Sequence, residues 1–502
     1  MARRSATGGF PCRRRQRHED RISALSDDLL LLILSGLDTR TALGLPDLDL
    51  RVGDILSPRY HQWVLVHQDI YGKGTHFQYG GHAMTGNIMP NIRRFERRAM
   101  RSLVRSVESF LDCAAGSEAR RRVNRLRLEF FATHNTGCIN RLLAKAIDAW
   151  GAVTRPIYWE QAAHAFPGHG LCEAPRASRL RSLKLGGCVL PPLHDYPALT
   201  TLVLQDMPES TPEAAYERVI ASCPQLQVLR LVSCPGTDGV VVDAPGSRIR
   251  ELVVDRCTFT RICMRALPGL QRLAAIGTRV LFESAAFPRL TQYNLTLCRG
   301  AGLGGYRRHF AHLLKLPFRL YFGCPPGITS LVVRFTGPAR WIVPPPAPAT
   351  LLPNLRRLLV ADVPSSWDAT WPRLLLEAAP SLQTLHVHIA ASSDEPDDDE
   401  ISWQPTMLRH DHLKEFVMVG FEATERQVCL VRFVVGACTA LLRVALFKDG
   451  HVRDKGHWDW EMVTETQPHS WTDEEKAAML SQIMDGAPLP PSSIAPGQLV
   501  FG

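Results

Sequence analysis

The sequence predicts an α/β solenoid, a curved parallel sheet with helices on its convex side, preceded by a small helical module. Three observations carry that expectation. The stretch Leu226-Gln-Val-Leu229-Arg-Leu231-Val-Ser-Cys234 reads L-x-x-L-x-L-x-x-C. The frame returns at Leu180, Leu199, Ile249, Leu270 and Leu290, so that successive starts lie 19, 27, 23, 21 and 20 residues apart. Between frames, segments such as 212–223 and 372–379 have helical composition. Side chains alternate along a strand, which sends Leu229 and Leu231 inward and leaves Arg230 and Val232 on the opposite wall.

This spacing resembles the leucine-rich repeat, in which each strand lines one wall of an arc and a buried Cys or Asn closes the following turn. Cys188, Cys234, Cys257 and Cys298 occupy that turn position. Looser copies start at Ile328, Leu355, Leu382, Leu413 and Leu441. One repeat of about twenty residues cannot bury enough surface to offset its own ordering, so neighbours must stack and the ends need caps. The array is expected over 121–450.

Composition agrees with a folded chain: 45% of the residues are hydrophobic and 21% charged. The net charge of +9 favours acidic partners, and most of the excess is arginine in the first quarter. Despite 13 cysteines, the arginine-rich amino terminus has no apolar run of the signal-peptide kind, which argues for a reducing compartment, cytoplasmic and/or nuclear. Residues 430–447 are interrupted by Arg432 and Arg443, so no membrane span is expected.

In chain order, 1–19 is a basic arm without periodicity, expected to be disordered. From Asp20 the text changes. Ser26 is placed as an N-cap, with Asp27 and Asp28 in the first turn where carboxylates oppose the helix dipole. The leucines of 29–34 are more than one helix face can hide, so a partner or another element must cover them. Asp20-Arg21-Ile22, the run from Leu25 to Leu30, Ile33-Leu34, Leu37 and Thr41-Ala42-Leu43 resemble the start of an F-box. That module docks a substrate receptor onto the Skp-type adaptor of a cullin-RING ubiquitin ligase. The resemblance ends at Leu43, so 20–56 is a truncated F-box. It implies adaptor-binding roles for Leu25, Asp28, Leu29, Leu30, Ile33, Leu34 and Leu37.

Residues 57–120 are assigned to a loop and a capping helix; Ile92, Phe95, Leu103, Val107 and Phe110 sit at helical spacing. Arg125 to Phe130 supplies a strand and Cys138 to Trp150 the helix behind it, whereas no L-x-L strand is legible in 151–156, which suggests a missing half-repeat or a distorted junction. Pro344 to Pro348 reads as a stiff connection and 392–400 as an acidic loop. In 451–502, Thr472 followed by Glu475 forms a capping box ahead of a helix to Met484. With its Trp458-Asp-Trp460 stretch, this tail resembles the FBD-like ending of plant F-box/leucine-rich-repeat proteins.

No nucleophile beside a base and no complete phosphate loop is legible, and Gly302-Leu-Gly304 lacks the rest of a dinucleotide fingerprint, so no enzyme and no cofactor are expected. His386-Val-His388 and His410-Asp-His412 could be read as a metal site, but outward positions on a repeat strand make partner contacts the better reading. The same geometry nominates Lys184, Arg230, Arg272, Asn294, Arg357, His386, His388 and Arg443 as a partner-binding stripe, in which reversing the charges of Arg230, Arg272 and Arg357 is expected to leave stability nearly unchanged. What the resemblance implies is the substrate-recognition subunit of a Skp-cullin-F-box ubiquitin ligase holding an unidentified target protein on its concave face. The rival is a leucine-rich-repeat scaffold that no longer engages the ligase. Nucleic acid is a weaker third reading, resting on the arginines alone.

Overall fold

The computed structural model describes residues 47–51, 101, 104–105, 125–131, 136–150, 153–157, 165–168, 170–298, 316–317, 327–336, 342–343, 352–365, 372–390, 409–464, 471–485 and 499–501. Residues 25–37, which carry the adaptor-binding expectation, lie outside them, as do the basic arm, the proline connection, the acidic loop and Gly302 to Gly304.

The fold is α/β. A first parallel sheet joins β1 (Asp47–Arg51), β2 (Arg125–Phe131) and β3 (Val153–Ile157). Helix α1 (Thr136–Trp150) lies between the last two in sequence. The strand β3 corrects the expected gap after Trp150: a parallel ladder needs backbone groups and extended dihedrals, not the L-x-L pattern. Likewise β1 occupies part of the span assigned to the truncated F-box.

The main sheet has twelve strands, all parallel, built by β4 (Ser182–Gly186), β5 (Thr201–Gln205), β6 (Val228–Val232), β8 (Glu251–Asp255), β10 (Arg272–Ile276), β12 (Gln292–Cys298), β14 (Ser330–Thr336), β16 (Arg357–Pro364), β17 (Thr384–Ala390), β18 (Glu415–Val419), β19 (Arg443–Phe447) and β22 (Leu499–Phe501). Strands follow chain order across the sheet, which is the solenoid-like arrangement the repeated frame predicts. The second and fourth positions stack in register: Leu183, Leu202, Leu229, Leu252, Leu273, Leu331, Leu358 and Leu385 are at most 1% exposed.

Six strands of the main sheet end in the same way. Gly187, Asp206, Ser233, Arg256, Gly277 and Gly420 follow a strand directly and have positive φ, between 48° and 78°. The amide of Gly187 donates to Asp206 O (2.9 Å), that of Asp206 to Val232 O (2.9 Å), of Ser233 to Asp255 O (2.8 Å) and of Arg256 to Ile276 O (2.7 Å). The left-handed residue keeps the ladder going for one more bond and then turns the chain inward, delivering Cys188, Cys234 and Cys257 to the core. There the Cys234 thiol donates to Leu204 O (3.4 Å) and the Cys257 thiol to Leu231 O (3.5 Å), each reaching the strand before its own. Burial pushes the Cys188 thiol up to about 12, which makes it an inert packing group.

Behind the sheet the elements vary with repeat length. The 27-residue step between Leu199 and Leu226 has room for α2 (Glu213–Ser222), and later steps hold α3 (Pro372–Ala378) and α4 (Glu425–Ala437). The shorter steps between 226 and 290 do not: there β7 (Val240–Asp243), β9 (Ile262–Ala266) and β11 (Val280–Ala286) form a second, three-stranded parallel sheet. This corrects the expectation of convex helices throughout. An extended run covers about twice the distance per residue of a helix and suits β-branched text such as Val240-Val-Val242. Glu213 and Glu217 of α2 receive the amides of Thr237, Asp238 and Val241 and so fix the entry to β7.

Two short strands, β13 (Leu316–Pro317) and β15 (Ile342–Val343), pair with each other. Beyond β19, an antiparallel hairpin is formed by β20 (His451–Asp454) and β21 (Trp460–Val463), and α5 (Asp473–Asp485) precedes β22. The expected capping box is present, with Glu475 N donating to Thr472 Oγ1 (3.1 Å) and Thr472 N to Glu475 Oε2 (2.9 Å).

A Cβ on Gly420 (φ 78°) would stand 2.1 Å from Ile389 O, whereas one on Gly246 would meet nothing within 4 Å. Gly420→Ala is expected to destabilise by about 2 kcal/mol or more, from left-handed strain and the backbone clash, with Gly246→Ala close to neutral; paired urea denaturation curves measure the difference.

Candidate functional site

Three rows of side chains face outward from the main sheet. The middle row runs Lys184, Val203, Arg230, Val253, Ala274, Asn294, Val332, Leu359, His386, Val417, Ala445, Val500. The first row carries Glu251, Arg272, Gln292, Ser330, Arg357, Thr384, Glu415 and Arg443 in that order. His388 stands beside Val419 in the third. All eight residues of the predicted stripe therefore share one face, as strand alternation requires.

That face is not bare. The β20–β21 hairpin folds onto its centre, and the Trp458-Asp459-Trp460 stretch does the contacting. Trp458 packs on Val253 and Ala274 and donates Nε1–H to Leu273 O at 3.2 Å. Trp460 packs on Val332, Leu359 and Ala361 and donates Nε1–H to His386 Nδ1 at 2.9 Å. Met462 continues the contact to Val417, Val419 and Ala445. This explains why the middle row is so apolar: Ala274 and Leu359 are 0% exposed although they point away from the core of leucines.

Polar groups hold the edges of the hairpin. Asn294 Nδ2 donates to His457 O (2.6 Å), and Thr296 Oγ1 donates to Asn294 Oδ1 (2.8 Å), leaving the Asn294 side chain only slightly exposed. Arg334 bridges Asp362 and, at 2.7 Å, Asp454 of the hairpin. Arg357 reaches Asp459 at 2.7 Å and lies over the Trp460 ring at 4.5 Å. Arg272 lies over Trp458 at 4.9 Å. Arg230 and Arg272 both pair with Glu251, at 2.8 and 3.0 Å. Arg443 pairs with Glu415 at 2.9 Å.

The histidines are likewise engaged. His386 accepts from Trp460 through Nδ1, which places its proton on Nε2, 3.6 Å from Glu415, an electrostatic contact too long for a hydrogen bond. The His386 ring, then the Arg443 charge, hold the Glu415 carboxyl below its ordinary value against the opposing effect of burial. His388 Nδ1 lies 2.8 Å from Asp362 Oδ1. Burial opposes ionisation of Asp362, but the His388 bond and the Arg334 charge outweigh it, and the carboxyl is held low. His410 leaves this face altogether: it is buried, its Nε2–H donates to Ala379 O at 3.0 Å and its Nδ1 accepts from Leu413 N at 3.2 Å. Among the described residues no group of three His, Cys, Asp or Glu is placed to hold a metal ion, and no helix is long and apolar enough to cross a membrane.

The expectation that Arg230, Arg272 and Arg357 can be reversed at little cost to stability is corrected by these contacts. Each guanidinium neutralises a carboxylate, and Arg272 and Arg357 clamp the hairpin. Sequence reasoning also missed Glu251, Arg334, Asp362, Asp454, Asp459 and both tryptophans. The legible signal was the alternation Trp458, Trp460, Met462, which puts three large apolar side chains on one side of a strand. The chain matches no protein-family model, and no curated protein matches it.

Trp460→Ala should cost about 3 kcal/mol, the usual penalty for deleting a buried indole, and loosen the hairpin; limited proteolysis within 451–463 measures the loosening. His410 and His457 are both held below the ordinary histidine value, by burial first. The unfolded chain then binds protons that the native chain refuses. Stability is fully present above about pH 6.5 and falls as pH drops towards 5, and urea midpoints at pH 7 and pH 5 test the sign.

Proposed function

We propose that this protein is a non-enzymatic receptor: a leucine-rich-repeat solenoid whose outward sheet face, together with the hairpin seated on it, recognises a target protein. Its amino-terminal segment docks that receptor on a Skp-type adaptor of a cullin ubiquitin ligase. The supporting observation is the register of the outward rows, which puts Lys184, Arg230, Arg272, Asn294, Arg357, His386, His388 and Arg443 on one face, with Asn294 and His388 buried and Arg230, Arg272, Arg357 and Arg443 about half exposed around the hairpin. Parallel sheets stacked this way supply extended recognition surfaces. The F-box-like residues Leu25, Asp28, Leu29, Leu30, Ile33, Leu34 and Leu37 add the ligase connection, and a cytoplasmic or nuclear setting follows from it.

A second reading, a repeat scaffold without ligase contact, is favoured by one observation. Strand β1 at Asp47–Arg51 pairs with β2, where an F-box would continue as helix. Co-expression with a Skp-type adaptor separates the two. The receptor reading expects co-purification that is lost on Leu29→Asp with Ile33→Asp; an intact chain that never retains the adaptor supports the scaffold.

A further inference from the structure

The turn of the hairpin does not close completely on the sheet. A cavity of about 400 Å³ remains, lined by residues 455–459 on one side and by Arg230, Glu251, Arg272 and Gln292 on the other. Its charges are uneven. The Glu251 side chain is 6% exposed and spends both oxygens on arginine: Oε1 accepts from Arg230 Nε (3.2 Å) and Nη2 (2.8 Å), and Oε2 lies 3.0 Å from Arg272 Nη2. One buried anion thus orients two cations, whose side chains stay 42% and 46% exposed. Asp459 at the rim is taken by Arg357, and Lys455 leans to Glu461 at 3.1 Å. Trp458, with Arg272 over its ring, gives the cavity a flat apolar wall.

We propose that this cavity receives one carboxylate side chain, Asp or Glu, from an extended segment of the partner protein. The inference rests on the receptor reading and assigns its chemistry to a place. A carboxylate entering between Arg230 and Arg272 completes a ladder of two anions and two guanidiniums, whose planar forks each retain N–H donors for it. Burial first, then the Arg230 charge, holds His457 below the ordinary histidine value, so this ring adds little positive charge to the cavity. The segment has a route in. The contacts of the hairpin begin at Val253 and Ala274, and Val203 in β5, on the far side of the Arg230 strand, remains only half-buried. A nucleic-acid backbone fits worse, because it presents phosphates in a run, whereas the cavity offers one pair of partly exposed arginines, room for a single anionic group.

The test uses the full chain and fluorescein-labelled peptides of twelve residues, built from Gly, Ser and Leu around a central Glu, Gln or phosphoserine. Fluorescence anisotropy at low salt reads the affinity. The Glu peptide is expected to bind with at least a tenfold preference over the Gln peptide. Arg230→Gln with Arg272→Gln should abolish it, and Arg230→Glu should transfer preference to a peptide with central Lys, a gain that misfolding cannot produce. Equal binding of the Glu and Gln peptides, or a tenfold preference for phosphoserine or for a labelled oligonucleotide, overturns the proposal. Adaptor co-purification without Glu preference removes only the cavity assignment. Glu preference without adaptor removes only the ligase connection.

Discussion

A single left-handed residue after each of six strands governs how the main sheet is built. In a parallel sheet every strand must be followed by a return to the same starting edge, and the return begins at Gly187, Asp206, Ser233, Arg256, Gly277 and Gly420. Their backbone amides stay in the ladder while the next side chain dives inward. At Cys234 and Cys257 the thiol ties the turn to a carbonyl of the preceding strand. Register therefore passes from repeat to repeat through main-chain geometry, and the leucines fill the space that geometry encloses. Non-glycine residues at three of these positions accept strain of roughly 1 kcal/mol each, which the packed neighbours on both sides oblige them to hold.

The strands of the main sheet were readable because the frame L-x-x-L-x-L states two things at once: which positions are buried and how often the pattern returns. The backs of the repeats were less readable. Residues such as Val240-Val-Val242 and Ile262-Cys-Met264 are apolar runs that suit a strand or a buried helix equally, and only the shortness of the step decides for strand. The strand at Val153–Ile157 escaped notice for the opposite reason, since it forms by backbone pairing without the pattern. The F-box-like residues 25–37 lie outside those described, so their helix rests on the sequence alone.

On the outward face, position and exposure separate. Alternation placed all eight stripe residues correctly, yet it could not say what stands in front of them. Val253, Ala274, Val332, Leu359, Val417 and Ala445 interrupt the basic stripe with small or branched apolar groups, and such a row on a solvated wall is out of place unless something covers it. The cover is more than 100 residues later in sequence than most of the positions it shields, at Trp458 and Trp460. Ion pairs through Arg334 and Arg357 then orient the hairpin, while the two buried indoles pack on the apolar groups of the row. A residue that looks like a partner contact in one repeat is thus a structural contact once the tail is in place, and the cavity beside Arg230 is where both descriptions meet.

Among the described residues, the large sheet is bordered at one edge by β22, only three residues long. Any strand at a border offers unsatisfied amides and carbonyls to passing molecules, and long flat borders seed fibres. So brief a segment, joined to its neighbour through Val444, Ala445 and Leu446 alone, gives an incoming chain little template on which to extend. Edge-to-edge pairing, the standing hazard of architectures that grow by addition of like units, finds least to hold at that border.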